Sequence, residues 1–200
     1  MRELILASAS PRRREMLQMM GVPFRVVVSE ADEACAERDP EQFALTVSAR
    51  KAAAVLPLVG EDDIVIACDT VVAQGDDILG KPVDREDARR MLRSLSGKTH
   101  RVVSALCVAS KEKSVCRAVV TKVHFRDIED NELQAYLDSG EGDDKAGSYG
   151  IQGLGGMFVS GIEGDWYTVV GMPLSALNEI LKSEFQTDFF SLRETKAGNV

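Results

Sequence analysis

The sequence has few of the features that accompany nucleic-acid binding or membrane insertion. Its 24 basic residues are outnumbered by 32 acidic ones, which gives a net charge of -8. This balance argues against a general nucleic-acid binder, because such proteins present a basic face. No apolar run approaches the roughly 20 residues that a membrane-spanning helix needs. The short apolar run at 4–7 does not suffice for a signal peptide, so we expect a cytoplasmic protein without a membrane anchor.

Cysteine and histidine are scarce, and their spacing does not match the common metal or redox motifs. The four cysteines form no C-x-x-C pair, and Cys68 and Cys107 lie in apolar runs, where a thiol behaves as a small hydrophobe. This usage indicates a reducing compartment. Neither His100 nor His124 has a second histidine or a cysteine at ligand spacing, so a zinc site and a Ser-His-Asp triad are not predicted. The glycine-rich signatures of dinucleotide-binding folds and P-loops are also missing.

The most informative stretch that is present is the apolar, β-branched run 64–73, which has Asp69 in its middle. The run predicts a strand buried on both faces. Burying an ionised carboxylate is costly unless a cation, a metal or hydrogen-bond donors replace its water. The first candidate partner is Lys81, which a turn would bring back toward the carboxylate. A functional site, a structural ion pair and a strand that ends at Cys68 with Asp69 solvated in a turn all remain open from this stretch alone.

The N-terminal segment has the pattern of an anion-binding loop. A strand is predicted at 4–7 and a helix at 11–20, with Ser10 as N-cap and Pro11 at the first helical position. Three arginines at 12–14 then occupy the first helical turn, where the helix dipole disfavours positive charge and favours a bound anion. The pattern therefore favours a phosphate site over a solvated basic face.

A second helix is predicted from Asp39 to about Ala54, and it carries a lysine in an unusual position. Lys51 falls on the stripe of apolar residues that face the core. Its ammonium could snorkel past the edge of the core, or it could reach into a cleft toward Glu33 and Asp69. The sequence leaves both alternatives open.

The rest of the chain predicts alternating strands and helices. We expect a short strand at 78–79, a helix after Asp84, a hairpin of 101–109 with 115–125 and a helix at 128–137. We then expect a glycine-rich pocket loop at 144–156, a last hairpin of 157–159 with 166–170 and a helix from Pro173. We therefore predict a mixed α/β domain at 1–181. A polar C-terminal tail at 182–200 follows, which we expect to be disordered near its end.

Together these parts describe a site for a polyphosphate. They are an arginine pair, two acids and two lysines: Arg12, Arg13, Glu33, Asp69, Lys51 and Lys81. Carboxylates are the hard oxygen ligands that Mg²⁺ or Mn²⁺ prefers. Guanidinium and ammonium groups neutralise charge on a leaving phosphate, and a carboxylate can accept a proton from an attacking water. The residues thus predict a metal-dependent hydrolase of phosphoanhydride bonds.

Seven short motifs, in order and over most of the chain, resemble those of one family. They are Ser8-Ala9-Ser10-Pro11-Arg12-Arg13, Asp32-Glu33, Arg50-Lys51-Ala52, Cys68-Asp69-Thr70-Val71-Val72, Gly80-Lys81-Pro82, Leu95-Ser96-Gly97-Lys98-Thr99-His100 and Lys145-Ala146-Gly147-Ser148-Tyr149-Gly150-Ile151-Gln152-Gly153. The chain resembles the Maf family of nucleoside triphosphate pyrophosphatases. The resemblance implies a mixed α/β fold similar to that of the inosine triphosphate pyrophosphatases, with two lobes flanking a deep cleft. It also implies hydrolysis of a nucleoside triphosphate to the monophosphate and pyrophosphate with a divalent metal, and it allows a homodimer.

The resemblance also implies roles for individual residues. Asp69 and Glu33 would be the catalytic residues and the metal ligands, with Asp69 as the general base and Glu33 helping to hold the metal or its water. The phosphates would be bound by Ser8, Arg13, Lys51 and Lys81. The substrate would be selected by Arg12, Thr70 and Gln152, a combination that resembles the dTTP/UTP branch of the family.

The branch that prefers 7-methyl-GTP carries tryptophan, glutamine and glutamate at these three positions, and it is the first alternative. A nucleotide-binding regulator of septum formation is the second. The resemblance leaves open whether base-modified pyrimidine nucleotides are also substrates.

Overall fold

One mixed sheet of seven strands organises the described residues, 2–75 and 77–193, of the computed structural model. The strands are β1 (Leu4–Leu6), β2 (Phe24–Val26), β3 (Ile64–Gln74), β4 (Asp77–Leu79), β5 (Thr99–Ala109), β6 (Ser114–Phe125) and β7 (Val159–Glu163). Their order is β2-β1-β3-β5-β6-β7, and β4 pairs with β3. Strands β2, β1 and β3 are mutually parallel, and the other pairs are antiparallel. The mixed α/β class predicted from the sequence is confirmed.

Helices cover both faces of the sheet. They are α1 (Pro11–Met20), α2 (Pro40–Val55), α3 (Arg85–Leu95), α4 (Asp130–Ser139), α5 (Trp166–Val170), α6 (Leu174–Phe185) and α7 (Phe189–Leu192). The N-cap of α2 is as predicted, because the Asp39 carboxylate accepts a hydrogen bond from the Gln42 backbone N–H. None of the helices in 2–75 and 77–193 combines the length and apolar character that a membrane span requires.

Alternation along β3 places successive side chains in two different cores. Ile64, Ile66 and Cys68 pack into the larger core with α1, α3, α4 and α6, whereas Val65 and Ala67 pack beneath α2. Because successive side chains of a strand point to opposite faces, Asp69 lies on the α2 face and Thr70 on the other. Asp69 is in the middle of an eleven-residue strand. The alternative that the strand ends at Cys68 with Asp69 in a solvated turn is therefore wrong.

The sheet has a gap beside Asp69. Strand β1 pairs with β3 only through Ile66, and β4 begins pairing with β3 only at Val72. Within the residues that the structure describes, no strand pairs with this edge of β3 between those two points. This edge of β3 is thus unpaired from 67 to 71, and Ser8 follows directly after Ala7, whose N–H donates to the Ile66 carbonyl.

The predicted last hairpin of 157–159 with 166–170 is wrong: the strand β7 lies at Val159–Glu163 and pairs with β6, and 166–170 forms helix α5. The aromatic and β-branched composition favours a strand, but Asp165 is a strong N-cap. Its carboxylate accepts hydrogen bonds from the Thr168 backbone N–H at 2.7 Å and from the Thr168 hydroxyl at 2.8 Å. This local capping outweighs the composition.

The folded domain extends beyond its predicted boundary at residue 181. Helix α6 runs through the predicted boundary to Phe185, and Phe185 and Phe189 are 4% and 7% exposed in the larger core. Their aromatic area stabilises the attachment of α7. The prediction of a disordered end falls on 194–200, outside the described residues.

Candidate active site

A cleft of about 590 Å³ opens at the gap in the sheet. This volume is within the range of about 300–1,000 Å³ that is usual for small-molecule sites. The cleft is lined by all nine residues that the sequence singles out: Ser8, Arg12, Arg13, Glu33, Lys51, Asp69, Thr70, Lys81 and Gln152. They come from six separate segments, so the fold brings together residues up to 144 positions apart in the chain.

Lys51 joins the two acids of the cleft. Its ammonium Nζ lies 2.8 Å from Asp69 Oδ1 and 3.0 Å from Glu33 Oε1. Lys51 and Asp69 are nearly buried, at 8% and 7% exposure, whereas 63% of the Glu33 side chain is exposed. The Lys51 ammonium therefore reaches into the cleft, which is the second of the two alternatives that the sequence left open. Only Oδ1 of Asp69 is hydrogen-bonded within the described part of the chain, which leaves Oδ2 able to accept a proton or a hydrogen bond.

Lys81 lies on the cleft wall but does not pair with Asp69. Its side chain is exposed, and no ion pair joins it to another described residue. The sequence-based suggestion that Lys81 is the first partner of Asp69 is wrong, because Lys51 approaches from α2 and occupies that place. Its ammonium is available to a ligand.

Arg13 is fixed by three hydrogen bonds on the opposite side of β3. Nε donates to the Gly171 carbonyl at 2.9 Å, Nη1 to Ser8 Oγ at 3.2 Å and Nη2 to Thr70 Oγ1 at 3.1 Å. A guanidinium has five N–H donors in a rigid plane, so two donors remain for an anion in the cleft. The pre-ordered plane suits phosphate oxygens.

A chain of hydroxyl groups holds Thr70 in turn. Thr70 Oγ1 lies 2.8 Å from Ser104 Oγ, and the Ser104 hydroxyl donates to the Thr168 carbonyl at 2.7 Å. Because Ser104 has only one proton to donate, the Thr70 hydroxyl is the donor in that contact. The Thr70 hydroxyl also lies 3.3 Å from the Gly171 carbonyl, to which it can donate, and it accepts from Arg13. The structure thus makes Thr70 a support for Arg13. Sequence reasoning missed Ser104, although a polar residue inside the apolar run 101–109 was a signal.

Arg12 lies beside two charged residues to which the sequence analysis gave no role. Its Nη1 is 3.8 Å from Asp144 Oδ2, and Lys145 also pairs with Asp144. The hydrogen bond from Lys145, together with the charges of Lys145 and Arg12, lowers the pKa of the Asp144 carboxyl. All three line the cleft. The adjacent acid and base at the start of the glycine-rich loop were the available signal.

The glycine-rich loop that carries Gln152 is clamped at both ends. The Glu141 carboxylate accepts from the backbone N–H groups of Leu154 at 2.8 Å and Gly155 at 2.9 Å. The Tyr136 hydroxyl donates to Glu141 at 3.2 Å and accepts from the Gly150 N–H at 3.2 Å. The segment between these anchors presents Gln152 to the cleft, so the prediction of an ordered loop lining a pocket is confirmed.

Tyr149 anchors the same loop to the sheet. Its hydroxyl lies 2.8 Å from His100 Nε2, and both rings pack edge-on against Phe125. Burial lowers the pKa of His100 to about 4, so the imidazole is neutral near pH 7. His100 therefore has a structural role, which is to hold Tyr149 and the loop against the sheet.

The Maf-like protein family model matches residues 3–184, which is most of the chain. The chain belongs to the Maf-like family. A dTTP/UTP pyrophosphatase of Thermococcus kodakarensis is 47% identical to this Maf-like chain over 174 residues, or 87% of this chain and 93% of that protein. One of Bacillus anthracis is 45% identical over 189 residues, or 94% and 98% of the two chains. The solved Ham1 protein of Staphylococcus aureus has 12% identity and a TM-score of 0.46, covering 62% of this chain and 71% of that one.

Changing Glu141 to glutamine in this Maf-like protein should loosen the Gln152 loop. A glutamine offers one oxygen where the carboxylate accepts with two, so we expect a loss of about 1.5 kcal/mol in the free energy of unfolding. We also expect KM for the preferred nucleotide to rise about tenfold, the effect of about 1.4 kcal/mol of lost binding, with a smaller change in kcat. Urea denaturation and steady-state kinetics measure both.

The matched control is Asp143→Asn, which removes an exposed charge two residues away.

The contribution of Glu141 to stability should also depend on pH. Burial raises the pKa of Glu141, but the N–H donors of Gly155 and Leu154 and the Tyr136 hydroxyl outweigh it and lower the pKa. The stabilisation is therefore complete above the ordinary glutamate pKa and is lost as the pH falls through the lowered value; the variant should lack this dependence. Lost stability with an unchanged KM would show that the clamp does not position the binding loop.

Proposed function

We propose that this chain hydrolyses dTTP and UTP to the nucleoside monophosphate and pyrophosphate. The observation that carries the proposal is that one cleft holds a carboxylate fixed by a lysine on one face of β3 and an arginine with free donors on the other. Both relatives described above are dTTP/UTP pyrophosphatases, and each match covers more than nine tenths of the relative. Four free cysteines also support a reducing compartment, the cytoplasm.

In this proposal, the cations of the cleft bind the triphosphate. Arg13 contributes its two remaining N–H donors, and Ser8, which accepts from Arg13, has its own proton to donate to a phosphate oxygen. Lys81 and Lys51 supply ammonium groups on the cleft wall. These positive charges stabilise the negative charge that builds up on pyrophosphate as it leaves.

Asp69 is the proposed general base. Lys51 holds Oδ1, while Oδ2 accepts the proton of the water that attacks phosphorus and breaks the bond between the α and β phosphates. Anchoring one carboxylate oxygen restricts the orientation of the other, which lowers the entropic cost of reaching the reactive geometry. Glu33, mostly exposed on the other side of the ammonium, is less restricted.

The donor set of the cleft also fits a divalent metal cation, Mg²⁺ or Mn²⁺. Glu33 and Asp69 converge on one ammonium and are hard oxygen donors. No group of three or more potential metal-ligating side chains occurs in the described ranges, which suits a Mg²⁺ ion that is held by one or two carboxylates together with substrate phosphates. When bound, such a cation would neutralise phosphate charge and favour attack at phosphorus.

Gln152 and Arg12 are the proposed selectors of the base. A side-chain amide offers both a donor and an acceptor to the O4 and N3–H edge of a pyrimidine, and both residues line the cleft. We expect Gln152→Glu combined with Arg12→Trp to lower kcat/KM for UTP relative to 7-methyl-GTP by about 10- to 100-fold, since a mispaired polar group costs about 1–3 kcal/mol. Thr70 stays unchanged because it supports Arg13.

The control for this pair of changes is the dTTP to UTP ratio, which should stay within about twofold because both bases present the same edge. An unchanged ratio of UTP to 7-methyl-GTP would mean that these two residues do not select the base.

Pyrophosphate release from dTTP, UTP, CTP, GTP and 7-methyl-GTP, with Mg²⁺ or Mn²⁺, tests the proposed function. Turnover of dTTP and UTP in preference to the others is the expected result. Preferred turnover of 7-methyl-GTP would assign the chain to the other branch. Tight binding without turnover, measured by calorimetry, would favour the nucleotide-binding regulator and overturn the proposal.

A further inference from the structure

Two cysteines face each other across neighbouring strands of the sheet. Cys107 on β5 is the register partner of Cys116 on β6. The backbone N–H of Ser110 donates to the Lys113 carbonyl at 2.8 Å, so that closing pair of the hairpin is hydrogen-bonded. Hydrogen-bonded and non-hydrogen-bonded pairs alternate along an antiparallel ladder, which makes 107 and 116, three steps away, a non-hydrogen-bonded pair.

This position suits a disulfide. The Cα atoms of a non-hydrogen-bonded pair are about 4.5 Å apart and their side chains lie on the same face. A disulfide accepts Cα separations of about 4.4–6.8 Å. The Ser114 hydroxyl also lies near both sulfurs, 3.5 Å from Cys107 Sγ and 3.9 Å from Cys116 Sγ.

The two thiols differ in access and in acidity. Cys107 is 1% exposed beneath α2, whereas Cys116 is exposed. The neighbouring Cys107 thiol, followed by the Ser114 hydroxyl, outweighs burial and lowers the pKa of Cys116 to about 7. The proximity of Cys116, together with burial, raises the pKa of Cys107. Cys116 is therefore the thiol that solvent reaches and that ionises more easily. Cys107 is its buried, protonated neighbour on the adjacent strand.

We propose that Cys107 and Cys116 form a reversible oxidation site for small peroxides on the sheet. Neither residue lines the proposed nucleotide cleft, so the site is separate from the proposed active site. An accessible thiolate beside a resolving cysteine is the arrangement that redox-sensitive proteins use. Disulfides of this kind in a reducing compartment are transient.

The chemistry needs only the two thiols and the peroxide. The Cys116 sulfur attacks one peroxide oxygen, the O–O bond breaks, hydroxide leaves, and Cys116 becomes a sulfenic acid. The Cys107 sulfur then attacks the Cys116 sulfur, the S–S bond forms, and the sulfenic oxygen leaves as water with the thiol proton. The hydroxide takes up the proton that Cys116 lost on ionising, so the two thiols lose two electrons in total and hydrogen peroxide is reduced to two waters.

The remaining cysteines serve as internal controls. Cys68 is fully buried and its register partner on β5 is Leu106, so a peroxide does not reach its thiol and the residue opposite it is not a cysteine. Cys35 is partly buried and has no cysteine opposite it among the paired strands of the described residues.

The test is treatment of the reduced full chain with a small molar excess of hydrogen peroxide, followed by alkylation and peptide mass spectrometry. We expect the number of alkylated cysteines to fall from four to two, with one linked peptide pair containing Cys107 and Cys116, and dithiothreitol to restore all four. Full alkylation, a link between two chains, or overoxidation of Cys116 without a link would each overturn the proposal.

Two serine variants make the test specific. Cys116→Ser should abolish the intramolecular disulfide and slow the loss of free thiols at least about tenfold, as expected for removal of the most nucleophilic thiol. Cys35→Ser, the matched control, should leave the disulfide and its rate unchanged. A disulfide that persists in Cys116→Ser, or that is lost in Cys35→Ser, would contradict the assignment.

Discussion

Replacing Asp69 with asparagine should lower pyrophosphate release by about 10²- to 10⁴-fold, the usual contribution of a general base. The amide has nearly the shape of the carboxylate, but it cannot accept the proton of the attacking water. The fold should survive, because Lys51 keeps its ion pair with Glu33 at 3.0 Å and can still donate to the amide oxygen. Steady-state turnover of dTTP and UTP, together with circular dichroism and urea denaturation, measures both effects.

Asp62→Asn is the matched control for this change. It makes the same replacement at an exposed carboxylate outside the cleft, and its activity should equal that of the wild type. Near-normal turnover in Asp69→Asn would show that Asp69 is not the base. Glu33, which shares the Lys51 ammonium, would then be the better candidate, and Glu33→Gln would be the variant to measure.

The sequence predicted the contents of the cleft better than its internal contacts. Asp69 stands out because a carboxylate inside an apolar strand needs a partner, and Lys51 stands out because it shares a stripe with core residues. Which lysine pairs with Asp69 depends on how α2 packs on β3, and this is a long-range property. Lys81 is close to Asp69 in sequence but lies on the cleft wall, whereas Lys51 reaches the carboxylate from the helix above it.

The supporting network was not visible in the sequence for a similar reason. The hydrogen-bond chain from Arg13 through Thr70 and Ser104 ends on the Thr168 carbonyl of α5. That helix was predicted to be a strand because its composition favours one. With this segment predicted as a strand, the sequence could not predict the carbonyl groups that orient Arg13, including that of Gly171 at the C-terminal end of α5. A capping residue such as Asp165 can therefore decide the geometry of a site that is contacted by the other end of its helix.

The second large expected effect is on stability and comes from Lys51→Met. Methionine has about the length of the lysine stem but no charge and no N–H donor, so Asp69 Oδ1 would lose its hydrogen-bond partner at 7% exposure. Removing one partner of a buried ion pair costs about 3–5 kcal/mol. We expect about 3 kcal/mol here, because one side of Asp69 faces the open cleft. Urea denaturation measures the loss, and activity should fall with it because the base is no longer oriented.

The double variant Lys51→Met with Asp69→Asn shows whether the loss comes from the stranded charge. A neutral amide tolerates the missing ammonium, so we expect the double variant to regain at least about 1.5 kcal/mol relative to Lys51→Met, a coupling usual for residues in direct contact. Arg50→Met is the control on the same helix. Arg50 is exposed and donates to the Ala34 carbonyl at 2.6 Å, so its loss should cost no more than about 1 kcal/mol. A double variant no more stable than Lys51→Met would mean that the lysine stem stabilises the core by packing, and that the loss does not come from the unpaired Asp69 carboxylate.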